Sequence, residues 1–246
     1  MNGEGKVYLE RNGAIGEIVL NRPAKHNALT PDMYRDIERV CAELVEDDNL
    51  KIGIVRGAGD RAFCAGSDIK GLESYEDFWA WRNRYDYIPP LLAVRKPLIA
   101  ATKGWALGGG LEIALACDLR VASRSTVFSA PEVALGWNGA GGAAQHLVRL
   151  CGYGRAMQIL LTGERFTAEN AHGWGMVETL VDEGAELEVA RQLASRIAQH
   201  SSVATQAVKS AVRNAVDTTV AQGLRYDNEL MSLCFAKAER DKIQSG

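Results

Sequence analysis

An α/β fold is predicted by three features of the sequence. Strand-like apolar runs alternate with helix-like segments through residues 6–181. Glycine-rich turns stand where one kind of segment gives way to the other. Residues 184–238 then change character and read as helix almost throughout.

Taken in order, residues 6–11 and 16–20 alternate as short strands around Asn12-Gly13, the pattern of a hairpin. Asn21-Arg22-Pro23 breaks it. Thr30-Pro31-Asp32 supplies an N-cap followed by proline at the first helical position. The apolar stripe Ile37, Val40, Cys41, Leu44 and Val45 continues that helix. Residues 51–56, 97–102 and 119–122 read as strands, and residues 111–117 as a helix. Residues 184–200, 202–215 and 218–238 carry helical periodicity. The expected organisation is an α/β core over residues 1–181 and a helical segment over 182–246. Such a segment needs a surface to cover, on its own core or on another subunit.

Composition narrows the function classes. A net charge of −3 and the absence of a Lys/Arg cluster argue against a nucleic-acid partner. The five cysteines are scattered and lack metal-ligand spacing, which fits idle thiols in a reducing compartment and no metal site. No apolar run reaches membrane-spanning length, and the first residues lack signal-peptide character, so a cytoplasmic protein without a membrane partner is expected.

Three motifs carry the chemistry. In Lys103-Gly104-Trp105-Ala106-Leu107-Gly108-Gly109-Gly110-Leu111-Glu112, three glycines allow close backbone approach and lead into a helix start. The free N–H groups there attract negative charge, and Glu112 stands in the first turn as an acid or base. Phe63-Cys64-Ala65-Gly66-Ser67-Asp68-Ile69-Lys70 follows a strand and fits either a tight turn or a second close approach. Cys64 has no histidine placed to activate it and reads as a small buried residue. In Ala130-Pro131-Glu132-Val133, a carboxylate interrupts an apolar stretch, so Glu132 is paired, capping a helix, or functional. Gly139-Ala140-Gly141-Gly142-Ala143-Ala144 loosely fits a dinucleotide-binding pattern, but no good strand precedes it.

Together, in this order, the motifs resemble the crotonase, or enoyl-CoA hydratase/isomerase, superfamily. The resemblance spans residues 21–236 and includes Leu161-Thr162-Gly163-Glu164-Arg165-Phe166 and Gly173-Trp174-Gly175-Met176-Val177. It implies a crotonase-like spiral of ββα turns with a helical C-terminal trimerisation segment, in a homotrimer or dimer of trimers. It also implies an acyl-CoA substrate, with coenzyme A part of that substrate and no separate cofactor.

The residue roles follow from the same resemblance. The backbone N–H groups of Ser67 and Gly109 are implied to form an oxyanion hole for the thioester oxygen, leaving the Ser67 hydroxyl incidental. Each such donor contributes about 3–4 kcal/mol to lowering the barrier. Glu112 is implied to activate water and Glu132 to transfer a proton at Cα, the pair titrating together. Ala65, Ser67, Asp68, Ile69, Lys70, Lys25, Gly109 and Ala140 are implied substrate-binding positions. Lys25 and Lys70 either meet CoA phosphates or are solvated surface lysines. Both glutamates favour a hydratase over an isomerase, although Glu132 alone could shuttle a proton for isomerisation. The lysine-rich first helix of RNA-binding relatives is replaced here by Asp36, Glu38, Glu43, Glu46, Asp47 and Asp48.

Departures from the family pattern concern the acyl group. Trp137-Asn138-Gly139 replaces a Thr/Ile/Pro-like stretch, and Ala140 takes the place of a glycine whose N–H helps hold the water. Residues 75–90 are rich in aromatics, among them Phe78, Trp79, Trp81, Tyr85 and Tyr87. Helix packing is the simpler account of these, and a pocket for a bulky acyl group is the other. Family members also run on beyond the position of Gly246, with a basic segment near the CoA adenine.

Overall fold

A computed structural model of the chain describes residues 5–69 and 76–245, with the side chains of 241–245 left out. Strands β1 (Lys6–Asn12) and β2 (Ile15–Asn21) form the expected hairpin. Its turn is shifted by one residue from Asn12-Gly13. Asn12 pairs with Ile15, so Gly13 and Ala14 are the central residues. Gly13 takes φ +57°, which suits the first central position of a two-residue hairpin turn.

Helix α1 (Pro31–Glu46) starts where its cap predicts, with the Thr30 hydroxyl accepting the Met33 N–H at 3.3 Å. Its stripe Met33, Tyr34, Ile37, Val40, Cys41 and Leu44 is buried. Then follow β3 (Ile52–Gly57), β4 (Ala62–Cys64), α2 (Phe78–Arg82), α3 (Ile88–Ala93), β5 (Leu98–Thr102), β6 (Trp105–Leu107), α4 (Gly109–Ala116), β7 (Leu119–Ser123) and β8 (Val127–Ser129). A 3₁₀ turn (Pro131–Leu135) leads to α5 (Ala143–Cys151), α6 (Tyr153–Thr162), β9 (Phe166–Thr167), α7 (Ala168–Gly173) and β10 (Thr179–Val181). The chain closes with α8 (Glu186–Ala198), α9 (Ser202–Ala215) and α10 (Val220–Ser245).

Two sheets stand side by side, ordered β1-β2-β3-β5-β7-β10 and β4-β6-β8-β9. Successive strand pairs β3/β4, β5/β6 and β7/β8 place one strand in each sheet, and a helical segment returns the chain for the next pair. This is the spiral of ββα turns, with parallel pairing along it. The sequence pattern runs β5 directly into the glycine turn and α4. In fact β6 intervenes, because the chain crosses to the second sheet before turning.

One apolar core lies around α1 and α4, which is buried along its whole length. A second lies between the large sheet and α8, where Ile52, Ile54, Ile99 and Val121 meet Ala190 and Ala194. Buried Glu17 on β2 binds Arg56 and Arg191 at 2.7 Å each, which fixes α8 to the sheet. Helix α9 is anchored by Lys209, 2.7 Å from Asp118 Oδ2 and 2.8 Å from the Lys96 carbonyl. Arg213 meets the other Asp118 oxygen at 3.0 Å. Helix α10 continues past the expected end at 238 and leaves Val220, Leu224, Met231, Leu233 and Phe235 exposed. No described helix is long and apolar enough to cross a membrane.

Candidate active site

The site forms where two loops leaving the small sheet touch. Ala65-Gly66-Ser67 leaves β4, and its backbone is held by the loop before α1. The Ala65 N–H donates to the His26 carbonyl at 3.0 Å, and the Leu29 N–H to the Gly66 carbonyl at 2.8 Å. The Asp68 N–H in turn donates to the Leu29 carbonyl at 2.8 Å. Buried Asn27 ties that loop down by donating to the Ala58 and Ala62 carbonyls, at 2.9 Å each. Among the described residues, the Ser67 N–H takes no backbone acceptor.

The second loop, Leu107-Gly108-Gly109, leaves β6 and opens α4. Gly108 adopts φ +52°, and its N–H donates to the Ser129 carbonyl at 2.9 Å. As first residue of α4, Gly109 has no intrahelical acceptor for its N–H. The loops meet at Gly66, which has φ +90°. A Cβ there would stand 2.8 Å from the Leu107 carbonyl oxygen and 3.1 Å from the Gly109 nitrogen. Only glycine permits that approach, and it brings the Ser67 and Gly109 backbones together.

Glu112, one turn into α4, is 2 % exposed. Its two oxygens each accept a short hydrogen bond, Oε2 from the Tyr87 hydroxyl and Oε1 from the Gly141 N–H, both 2.7 Å. The Ala143 N–H also faces it. Burial pushes the Glu112 carboxyl up from its ordinary value, against the pull of these donors. Glu132 lies in the 3₁₀ turn after β8. A Cβ on Gly108 would be 3.0 Å from its Oε1, which sets Glu132 against the glycine triplet. Both carboxylates flank Gly139, where a Cβ would stand 3.5 Å from Glu112 Oε1 and 3.6 Å from Glu132 Cδ. Burial also raises the Glu132 carboxyl, and the charge on Glu112 adds to the effect.

Ser67, Gly109, Glu112 and Glu132 are therefore brought together around one point. Ala65 and Asp68 lie on the first loop, with Asp68 paired to Arg22 at 2.7 Å, and exposed Ile69 follows. Lys25 is exposed on the 3₁₀ turn Pro23–Lys25. Lys70 and Tyr75 lie outside the described residues.

Several expectations need correcting. The glycine-rich loop after the 3₁₀ turn supplies two N–H donors to Glu112, from Gly141 and Ala143, which the sequence reading does not name. These contacts account for the dinucleotide-like glycine pattern, which follows a 3₁₀ turn rather than a strand. The Ser67 hydroxyl is not idle, since it accepts the Tyr34 hydroxyl at 2.8 Å. Helix packing fails for Phe78 and Trp79, which are 74 % and 73 % exposed. Tyr87 from the same aromatic stretch is instead buried against Glu112, a role that no spacing in the sequence announced. The Cys64 thiol is buried and pushed up to about 12, as an idle thiol should be.

A family model described as enoyl-CoA hydratase/isomerase matches residues 10–245. The chain belongs to the enoyl-CoA hydratase/isomerase family. Its relatives include the short-chain-enoyl-CoA hydratase of Clostridium acetobutylicum, 32 % identical over 95 % of this chain and 91 % of that one. The (E)-benzylidenesuccinyl-CoA hydratase of Thauera aromatica is 35 % identical over 91 % of this chain and 88 % of its own. An enoyl-CoA hydratase structure from Geobacillus kaustophilus superposes with a TM-score of 0.90 at 34 % identity, covering 98 % of this chain and 93 % of that one.

In this enoyl-CoA hydratase/isomerase family member, the raised carboxyl of Glu132 has a consequence for stability. Its neutral form favours the fold, so the stabilisation is fully present below the ordinary carboxylate range and is lost as pH rises through the folded value. Glu132→Gln should melt a few °C above the wild type at pH 7–8, a shift typical of single substitutions in chains of this size. The two melting curves should converge near pH 4, where an ordinary glutamate is about half protonated. Equal melting temperatures across the whole range would contradict burial as the cause.

Proposed function

We propose that the protein is an enoyl-CoA hydratase, adding water reversibly across the 2,3 double bond of a 2-enoyl-CoA thioester. The observation that carries this reading is the convergence of two carboxylates, Glu112 and Glu132, on the backbone N–H pair of Ser67 and Gly109. The thioester oxygen accepts from the two N–H groups. A water lies between the carboxylates, and the ionised Glu112 takes its proton as the oxygen bonds to Cβ. The electron pair of the double bond moves toward the thioester oxygen, where the paired donors favour the enolate-like charge. Protonated Glu132 delivers its proton to Cα and the thioester carbonyl is restored. Dehydration runs the same steps backward. Starting with Glu112 ionised and Glu132 protonated suits two buried acids of which Glu132 is held neutral by burial and further by the charge on Glu112.

Isomerisation of a 3-enoyl-CoA is the second reading. Both Glu112 oxygens accept donors from the chain, while Glu132 is the less enclosed carboxylate and could shuttle a proton between Cα and Cγ alone. A panel of 2-enoyl-CoA and 3-enoyl-CoA thioesters, short-chain and aromatic, separates the two by absorbance of the conjugated enoyl group. Loss of absorbance with a 2-enoyl-CoA is the expected result. Gain from a 3-enoyl-CoA without hydration would replace the hydratase with an isomerase.

The acting form in this proposal is a homotrimer or a dimer of trimers in the cytoplasm. The apolar residues Val208 and Val212 on α9, Val216 at its C-cap, and Val220 and Leu224 on α10 are exposed and support burial against another copy. Sedimentation of the assay preparation as a single chain would overturn this assembly.

A further inference from the structure

Tyr87 precedes α3 and carries its phenol into the site. Its oxygen lies 2.7 Å from Glu112 Oε2 and 2.7 Å from where a Cβ on Gly109 would stand. The Ser67 hydroxyl also faces the Tyr87 phenol, and it accepts the Tyr34 hydroxyl at 2.8 Å. The Tyr34 and Tyr87 rings pack with centroids 5.1 Å apart. Three hydroxyls, from α1, from the loop after β4 and from the turn before α3, thus run in sequence to one carboxylate oxygen. Donation can pass in one direction, from Tyr34 to Ser67 to Tyr87 to Glu112, and the last acceptor is then best filled by a carboxylate without a proton.

We infer that Tyr87 is a positioning residue for the reaction: it holds Glu112 ionised and fixes its Oε1 edge toward the water, with Ser67 and Tyr34 orienting the phenol in turn. The inference rests on the hydratase reading in giving Glu112 the part of base. The bond geometry supports it directly. One Glu112 oxygen is held by Tyr87 and the other by the Gly141 N–H, so the carboxylate plane cannot rotate without losing one of two short bonds. Burial works against ionisation of Glu112, as does the charge of Asp86 next to Tyr87, while Glu132 faces the same space. The donors from Tyr87, Gly141 and Ala143 are the groups that oppose them. A phenol suits the task because burial and the Glu112 charge hold its own proton firmly in place.

The test is Tyr87→Phe, which keeps the ring and removes the hydroxyl. With a 2-enoyl-CoA substrate, kcat should fall about ten- to hundredfold, the effect expected from one hydrogen bond to a charged group. KM should change little, and the acidic limb of the kcat/KM profile should move to higher pH. A second readout does not depend on turnover. In protein labelled with ¹³C at glutamate carboxyls, the Glu112 resonance, assigned by its loss in Glu112→Gln, should titrate at higher pH in Tyr87→Phe than in wild type. An unmoved Glu112 titration, or a change confined to KM, would overturn the inference. Wild-type protein that hydrates no thioester of the panel would sink the hydratase reading instead, and the carboxyl titration would still decide the contact.

Discussion

Replacing Glu112 by Gln should lower kcat for hydration by about 10²–10⁴-fold, and Glu132→Gln should do the same. The two losses have different origins. In Glu112→Gln the amide can no longer take a proton from water, so attack at Cβ loses its base. In Glu132→Gln the amide cannot deliver a proton to Cα, so the enolate-like state forms and returns. Deuterium exchange at Cα therefore separates them: it should vanish in Glu132→Gln more completely than in Glu112→Gln. Because the two groups handle one water, the double variant should lose less than the product of the single losses. Each amide is nearly isosteric with its acid, and the N–H groups of Ser67 and Gly109 do not depend on either side chain, so thioester binding should persist. Full activity in either variant would end the two-carboxylate assignment.

How far the sequence discloses this site depends on which atoms do the work. Glu112 and Glu132 were legible because a carboxylate in an apolar segment must have a reason to be there, and because their positions follow glycine and proline signals. The glycine triplet was legible as the turn before a helix expected from residue 111, but the choice of Gly109 within it came from the resemblance. Ser67 became legible only through the resemblance, since a serine used through its backbone looks like any other turn residue. Tyr87 was hidden for a different reason. It lies 25 positions from Glu112, in a stretch whose aromatics have no shared periodicity, and its partner is set by how α3 returns to α4. A tertiary contact of that kind leaves no local pattern.

The fold divides along the same line. Helices α1, α8 and α9 were placed within about two residues because caps and apolar periodicity are local. Strands β4, β6 and β8 were missed because three residues cannot display an alternation, and they pair with segments some twenty to forty positions away. Each of these short strands follows directly on a strand of the large sheet, β4 on β3, β6 on β5 and β8 on β7, so its place depends on that sheet. Yet the small sheet delivers both donor loops, so the least legible strands carry the most functional part of the backbone.

Gly110→Ala should damage both the fold and the site, which is where that dependence becomes measurable. Gly110 is the second residue of α4, and a Cβ added there would stand 2.0 Å from the carbonyl oxygen of Cys64 and 2.8 Å from its carbonyl carbon. Neither atom belongs to a side chain that could rotate away. Cys64 ends β4 directly before Ala65-Gly66-Ser67, so the collision must push α4 and the Ser67 loop apart. Overpacking of this kind costs about 3 kcal/mol or more when backbone has to move. The separation would also displace the Gly109 N–H relative to the Ser67 N–H and carry Glu112 with it. A displacement on the order of 1 Å in a reacting group costs roughly a hundredfold in rate. Gly154, in α6, is the fitting control, since a Cβ there meets nothing within 4 Å. Gly154→Ala should keep full activity and gain a little stability, by up to about 1 kcal/mol from helix propensity. If Gly110→Ala behaved like Gly154→Ala in both melting temperature and kcat, the close seam between β4 and α4 could not be what sets the spacing of the two donors.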